Sequence, residues 1–208
     1  MLDQLTRRHL FGSGVRGGAA LVLGGTAAGA LAASADANPP AASIGAIAAS
    51  DLAFVRLLVG VELLMVDFYT EAVASRHLRG GALADARLAL VNEGEHYKYL
   101  AAVVGSTGGL ALTAADVNFS YPSGAFFTAA SVTGLANTLE QLTLGAYLGA
   151  GGNIANQVVA AAVAQITANE AQHLAALALR VGQPAYQDAF PDPLTIEEAS
   201  DALAAYTS

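Results

Sequence analysis

The chain has 208 residues, of which 54% are hydrophobic and 12% charged, with a net charge of −8 and neither cysteine nor tryptophan. That length suits one ordinary domain with a short extension. The lack of cysteine excludes disulfides, thiolate metal sites, iron–sulfur clusters and a lipid-modified N-terminal cysteine, so any metal must be held by nitrogen and oxygen. The acidic balance speaks against nucleic acid and anionic membrane surfaces as partners, and it does not oppose cation binding. Alanine dominates the sequence and is the strongest helix former, which favours an all-α fold before any pattern is read.

Residues 1–37 read as an export signal rather than as part of the fold. Thr6-Arg7-Arg8-His9-Leu10-Phe11 leads into a Gly/Ala-rich apolar run from Gly12 to Ala33, and Ala35-Asp36-Ala37 forms an A-x-A site ahead of Asn38. A charged start, an apolar centre and small residues at the end are the parts of a signal peptide. The adjacent arginines resemble the twin-arginine motif, in which Ser or Thr and two Arg precede any residue and then two apolar ones. Gly and Ala fill the run and Arg16 interrupts it, a weak hydrophobicity that suits this route, which carries folded and often cofactor-loaded proteins. The expected location is therefore the periplasm, the cell envelope or the extracellular space, with the twin-arginine export machinery as a partner. The segment is either cut before Asn38 or kept as an anchor. Its removal takes away three basic and two acidic side chains, leaving six against fifteen and a net charge of −9.

Residues 38–50 are rich in Pro, Ala and Ser and read as a linker. Long proline-free segments follow. The first helix is expected over about 51–77, capped at its start by Asp51 and ended by Arg79-Gly80-Gly81. The second is expected over about 82–104, stopping at Gly105-Ser106. The glycines, prolines and polar turn of residues 105–124 make a crossover connection. A third helix is expected over about 124–148 and a fourth over about 153–181, stopped by Gly182 and Pro184. Residues 183–208 form an extension with a short helix near 195–206. Two tight connections and one of about twenty residues give two antiparallel hairpins joined by a long crossover, a four-helix bundle over residues 51–182. No run of 18 purely apolar residues occurs after Ala37, and the helices carry interior carboxylates, against a multispanning membrane protein.

The two hairpins share a pattern. Glu62 on the first helix and Glu140 on the third are each followed seven residues later by a tyrosine, Tyr69 and Tyr147. The second and fourth helices carry Asn92-Glu93-Gly94-Glu95-His96 and Asn169-Glu170-Ala171-Gln172-His173, each reading Asn-Glu-x-x-His. Residues three apart on a helix share a face, so each Glu and His of these motifs point the same way. In each hairpin the lone Glu and the Glu-x-x-His pair lie about equally far from the turn, which sets them at one level. A single Glu-x-x-His is more often an exposed ion pair. Two such pairs, each behind an Asn and each following a lone Glu at matching distance, point instead to a shared site. Its neighbours are apolar, among them Val61, Leu63, Leu64, Leu139 and Leu142. Four carboxylates there repel unless paired, and two divalent cations cancel their charge while two imidazoles complete the coordination.

The chain resembles the ferritin-like di-iron carboxylate superfamily, and within it the exported bacterial ferritin-like domain proteins, over roughly residues 51–181. The resemblance implies metal ligands at Glu62, Glu93, His96, Glu140, Glu170 and His173, with Glu93 and Glu170 bridging and Glu62 and Glu140 terminal or chelating. It implies a centre of two iron ions, or alternatively manganese; zinc leaves the redox capacity of such a site unused. Tyr69 and Tyr147 read either as hydrogen-bond donors to the ligand carboxylates or as core aromatics. Asn92 and Asn169 either orient the site or pack between helices. Asp67 and Glu95, unmatched in the other hairpin, read as peripheral, His77 as a surface or capping residue, and Glu71, Glu197 and Glu198 as solvated. The expected chemistry is oxidation of Fe(II) or consumption of peroxide or O₂, without a built-in electron donor since cysteine is absent. The alternative is a non-catalytic envelope or stress-related bundle whose site is structural or metal-free. Nothing in the sequence points to a 24-subunit shell, and the oligomer is not legible in it.

Overall fold

The computed structural model describes residues 44–186 and 188–207. The export signal over residues 1–37, its cut before Asn38 and the first part of the linker lie outside the described residues. Among the described residues the chain is all-helical, with α1 (Ala49–Ala74), α2 (Gly80–Ser106), α3 (Ala129–Gly151), α4 (Gln157–Arg180) and α5 (Ile196–Ala204). The most extensive packing is within the hairpins α1–α2 and α3–α4, and slimmer seams join α1 to α3 and α2 to α4. None of these helices is long and apolar enough to cross a membrane.

Local chemistry sets the helix ends, and several differ from expectation. α1 stops at Ala74, short of His77, because Arg76 takes a left-handed conformation with φ of 62°. Gly80 and Gly81 open α2 instead of merely ending α1. α3 begins five residues later than expected. Pro122 and Gly124 accept turn hydrogen bonds from Ala125 and Phe127, and Thr128 then caps the helix through a reciprocal pair of bonds with Ser131. α4 likewise waits for Asn156, whose side-chain oxygen accepts from Val158 N and Val159 N at 3.1 Å. Gly182, at φ of 76°, supplies the left-handed residue that ends α4.

Asp51 has a different role from the expected one. It lies inside the first turn of α1, which no side chain caps. Its buried carboxylate instead reaches the α3–α4 connection, accepting from Ala155 N at 3.2 Å and Asn156 N at 2.8 Å. It thereby ties the start of one hairpin to the turn of the other.

The C-terminal segment lies across α1 and α3. Leu194 N donates to Gly145 O at 2.9 Å, and a Cβ on Gly149 would sit 1.8 Å from Leu194 O. Leu203 of α5 also presses on Gly60, where an added Cβ would lie 2.9 Å from its Cδ2. Three glycines thus make the bed for this strap. Its end is held by Ser120 N donating to Tyr206 O and by the Phe119–Thr207 bridge.

Two apolar clusters fill the bundle. One gathers Val55, Leu58, Leu100, Val103, Tyr147 and Val163, and the other Leu64, Met65, Phe68, Ala86, Leu139 and Leu177. On every one of the four long helices the polar motif falls between the two. Replacing Asp51 by Ala strands two backbone N–H groups, and the expected loss is about 1–3 kcal/mol of unfolding free energy, with Asp51→Asn costing less. Urea unfolding of the two variants checks the order.

Candidate metal centre

The six residues singled out by the repeat come together in one place. Glu62, Glu93, Glu140 and Glu170 are each at 0% exposure in the middle of the bundle, a position where an ionised carboxylate is costly unless it is paired or bound. His96 and His173 close the site on the α2 and α4 side.

The geometry forms two overlapping clusters. His96 Nδ1 lies 2.9 Å from Glu170 Oε1, 3.2 Å from Glu93 Oε2 and 3.8 Å from Glu62 Oε2. His173 Nδ1 lies 3.1 Å from Glu93 Oε1, 3.3 Å from Glu170 Oε2 and 3.4 Å from Glu140 Oε1. Glu93 and Glu170 therefore divide their two oxygens between the two imidazoles, while Glu62 serves one cluster and Glu140 the other. Within each cluster one ligand atom from every residue falls within 4.8 Å of all the rest.

Ordinary hydrogen bonding does not account for this arrangement. One Nδ1–H can point at one oxygen, not three. Glu62 Oε2, Glu93 Oε1, Glu140 Oε2, both oxygens of Glu170 and His173 Nδ1 are buried without a directed hydrogen bond, though several stand within 3.4 Å of an opposite partner. Buried polar atoms that converge yet do not bond one another are the donor set of a cation site. Oxygen and nitrogen donors in a carboxylate-rich set suit iron or manganese.

The electrostatics point the same way. Burial, then the charge of Glu93, pushes the Glu62 carboxyl well above its usual range; burial also raises Glu140, against the pull of His173. Burial also raises Glu170, but the imidazoles of His173 and His96 outweigh it and bring that group down to about 2. Burial lowers His96, yet hydrogen bonding to Glu170, Glu62 and Glu93 carries it up to about 12, and His173 is raised by the same kind of contact to Glu140, Glu170 and Glu93. On its own the site holds protons as its counter-charge, and bound cations can take that role.

Both tyrosines donate to carboxylates, and they do so across the hairpins. Tyr69 OH on α1 donates to Glu140 Oε1 on α3, and Tyr147 OH on α3 donates to Glu62 Oε1 on α1. Burial and the facing carboxylate raise each phenol well above its usual value, so each stays a protonated donor. The side-chain amide of Asn92 meets His173 Nε2 at 3.0 Å, again between hairpins. The amide nitrogen Nδ2 is the atom facing Nε2, so its N–H donates to the Nε2 of the neutral ring. Asn169 borders an opening beside His96.

The other residues read in the sequence lie away from the centre. Asp67 accepts from Tyr121 OH at 2.8 Å on the outer side of α1, within an aromatic group that includes Phe68 and Phe126. Glu95 is exposed and pairs with Lys98 at 2.7 Å. His77, Glu71 and Glu197 are exposed, and Glu198 closes the reciprocal cap of α5 with Thr195. Sequence reasoning did not reveal that the tyrosines cross between hairpins; the seven-residue spacing placed them near the site but not on a partner.

Residues 50–183 match the family described as a ferritin-like domain. No curated protein matches the chain. Tyr147→Phe removes a donor to a fully buried carboxylate and is expected to lower stability by about 1.5–3 kcal/mol. Tyr99 is the internal control: its buried hydroxyl has no hydrogen-bond partner, so Tyr99→Phe is expected to change little. Thermal unfolding of the two metal-free variants side by side checks the contrast.

Proposed function

The chain belongs to the ferritin-like domain family, and from that premise we propose that it binds two metal ions, iron or manganese, and uses them to oxidise Fe(II) or to consume peroxide or O₂. The observation that carries the reading is the division of the Glu93 and Glu170 oxygens between His96 and His173. Such carboxylates can bridge two ions, with Glu62 and His96 completing one coordination set and Glu140 and His173 the other. Iron or manganese held there supplies two adjacent one-electron couples, the capacity that two-electron reduction of peroxide or O₂ requires.

The protein's own groups have separable tasks. Tyr147 holds Oε1 of Glu62 and leaves Oε2, which faces His96, free to bind; Tyr69 holds Oε1 of Glu140, the oxygen nearest His173, and leaves Oε2 without a hydrogen bond. Asn92 fixes the ring of His173. The strap of residues 194–203 covers the α1–α3 side, so small reactants approach from the α2–α4 side, where the histidine side chains retain 10–12% exposure.

Two experiments test the proposal. Metal analysis of the purified full-length chain is expected to give about two ions per chain, and aerobic addition of Fe(II) is expected to give rapid oxidation. Glu93→Ala combined with Glu170→Ala is expected to abolish binding of both ions at once, because each residue serves both clusters. Retention of metal by that variant would overturn the site assignment, and metal held without turnover would support a structural role. Export by the twin-arginine route rests on the Arg7-Arg8 pair. Arg7→Lys with Arg8→Lys is expected to retain the chain in the cytoplasm, as cell fractionation would show; unchanged export would rule that route out.

A further inference from the structure

The two hairpins keep the same polar residues but fill the space around them differently. Aligning Glu62 with Glu140 and Glu93 with Glu170 also aligns Ala86 with Val163, Ala89 with Ile166, Leu58 with Ala136 and Tyr99 with Ala176. Leu58, Tyr99, Val163 and Ile166 are buried and all lie in the first apolar cluster. Their four alanine counterparts line a cavity of about 150 Å³ on the other side of the polar layer. The same alignment sets Asp85 and Arg180 against Ala162 and Val103, both buried. The positions filled by Leu58, Tyr99, Val163 and Ile166 in one half are thus left to alanine in the other, beside this cavity.

The hollow has two distinct ends. Its inner end is bordered by Tyr69, Asn92, Asn169 and His173, whose Nε2 meets Asn92 while Nδ1 faces the carboxylates. Its outer end is bordered by Asp85 and Arg180, which pair with each other through Arg180 Nε donating to Asp85 Oδ2 at 2.8 Å. That mutual pairing leaves no net charge at the mouth to attract an ion. Between the ends the wall is mostly apolar, with Phe68, Val132 and Leu177 beside the alanines and Thr133, Asn169 and Gln172 as its polar members.

We propose that this cavity is a binding site for a small, uncharged, apolar molecule of about benzene's size, admitted past the Asp85–Arg180 pair and held against the His173 side of the polar centre. Its volume is that of the apolar protein cavities known to take benzene or xenon. An apolar wall gives water too few partners to be a competitive occupant. The opening beside His96 differs from it in carrying Glu95 and Gln165 alongside Tyr99 and Ile166, groups that can hold water or an ion. The two histidines therefore face different surroundings, with Glu95 and Gln165 beside His96 and a mostly apolar cavity beside His173. Binding in the cavity does not depend on metal; its placement beside a reactive centre rests on the function proposed above.

The test uses the full-length chain with benzene and xenon as probes. Thermal unfolding of the metal-free parent is expected to shift upward and saturably with benzene, as a ligand of the native state requires. Benzoate, of similar size but charged, is expected to give no shift. Ala86→Val with Ala89→Ile, which copies the filling of the other hairpin, is expected to weaken benzene binding by about tenfold or more. Should that variant fail to fold, Ala136→Leu fills the cavity from α3, and xenon under pressure reports directly on the parent. No saturable response in the parent, an equal response to benzoate, or filled variants that respond like the parent would each overturn the proposal. Metal content measured on the same samples reports separately: benzene binding by a chain that takes up no metal refutes the metal reading and leaves the cavity assignment standing.

Discussion

Four fully buried carboxylates at the centre of an apolar bundle are the constraint from which the rest of the structure follows. An unpaired charge in such surroundings carries a penalty of several kcal/mol even after relaxation, comparable to the whole stability of a domain. Every long helix contributes one of the four, so no helix can slide or rotate without leaving a carboxylate among leucines and valines. The two apolar clusters on either side fix the level of the polar layer, and the polar layer in turn fixes the register of the helices.

The ties between the hairpins are polar and specific where the apolar seams are slim. Tyr69 reaches Glu140, Tyr147 reaches Glu62, Asn92 reaches His173, and Asp51 reaches the turn before α4. The antiparallel run of α1 against α3 explains the tyrosine pair, because the residue two turns beyond one glutamate falls beside the other. The α1–α3 side is then sealed by the C-terminal strap, for which Gly60, Gly145 and Gly149 leave room. Access to the centre is left to the side where α2 and α4 meet.

Much of this was legible in the sequence because the repeat is written in rare residues. The described chain has few histidines, and the pairing of Glu with Asn-Glu-x-x-His in both hairpins singled out all six converging side chains. The helix count and the long crossover followed from glycine and proline positions. What escaped was whatever depends on how the hairpins dock. Asp51 reads as a cap from its place before a helical run, yet its partners are more than a hundred residues away. The start of α3 depended on Thr128 and Ser131 capping each other, a pairing without the Glu or Gln usual at the second position. Gly145 stands where the first hairpin has Asp67. Its backbone oxygen and lack of a side chain instead accommodate Leu194, which no spacing rule connects to it.

The difference between the two halves has an energetic logic. Removing one member of a buried charged set costs about 3–5 kcal/mol, since it strands the others. Exchanging a valine or isoleucine for a smaller apolar residue costs about 1 kcal/mol per buried methylene plus a cavity term, a smaller loss than a stranded charge. The polar residues of a duplicated hairpin are therefore tightly constrained while its apolar filling is free to diverge. Divergence of this kind turns two chemically equivalent ligand sets into sites with different surroundings: His96 beside Glu95, Gln165, Tyr99 and Ile166, His173 beside Phe68, Ala89, Leu177 and Gln172. An internally symmetric centre can thus meet an ion or water on one side and an apolar molecule on the other without any change in the residues that form it.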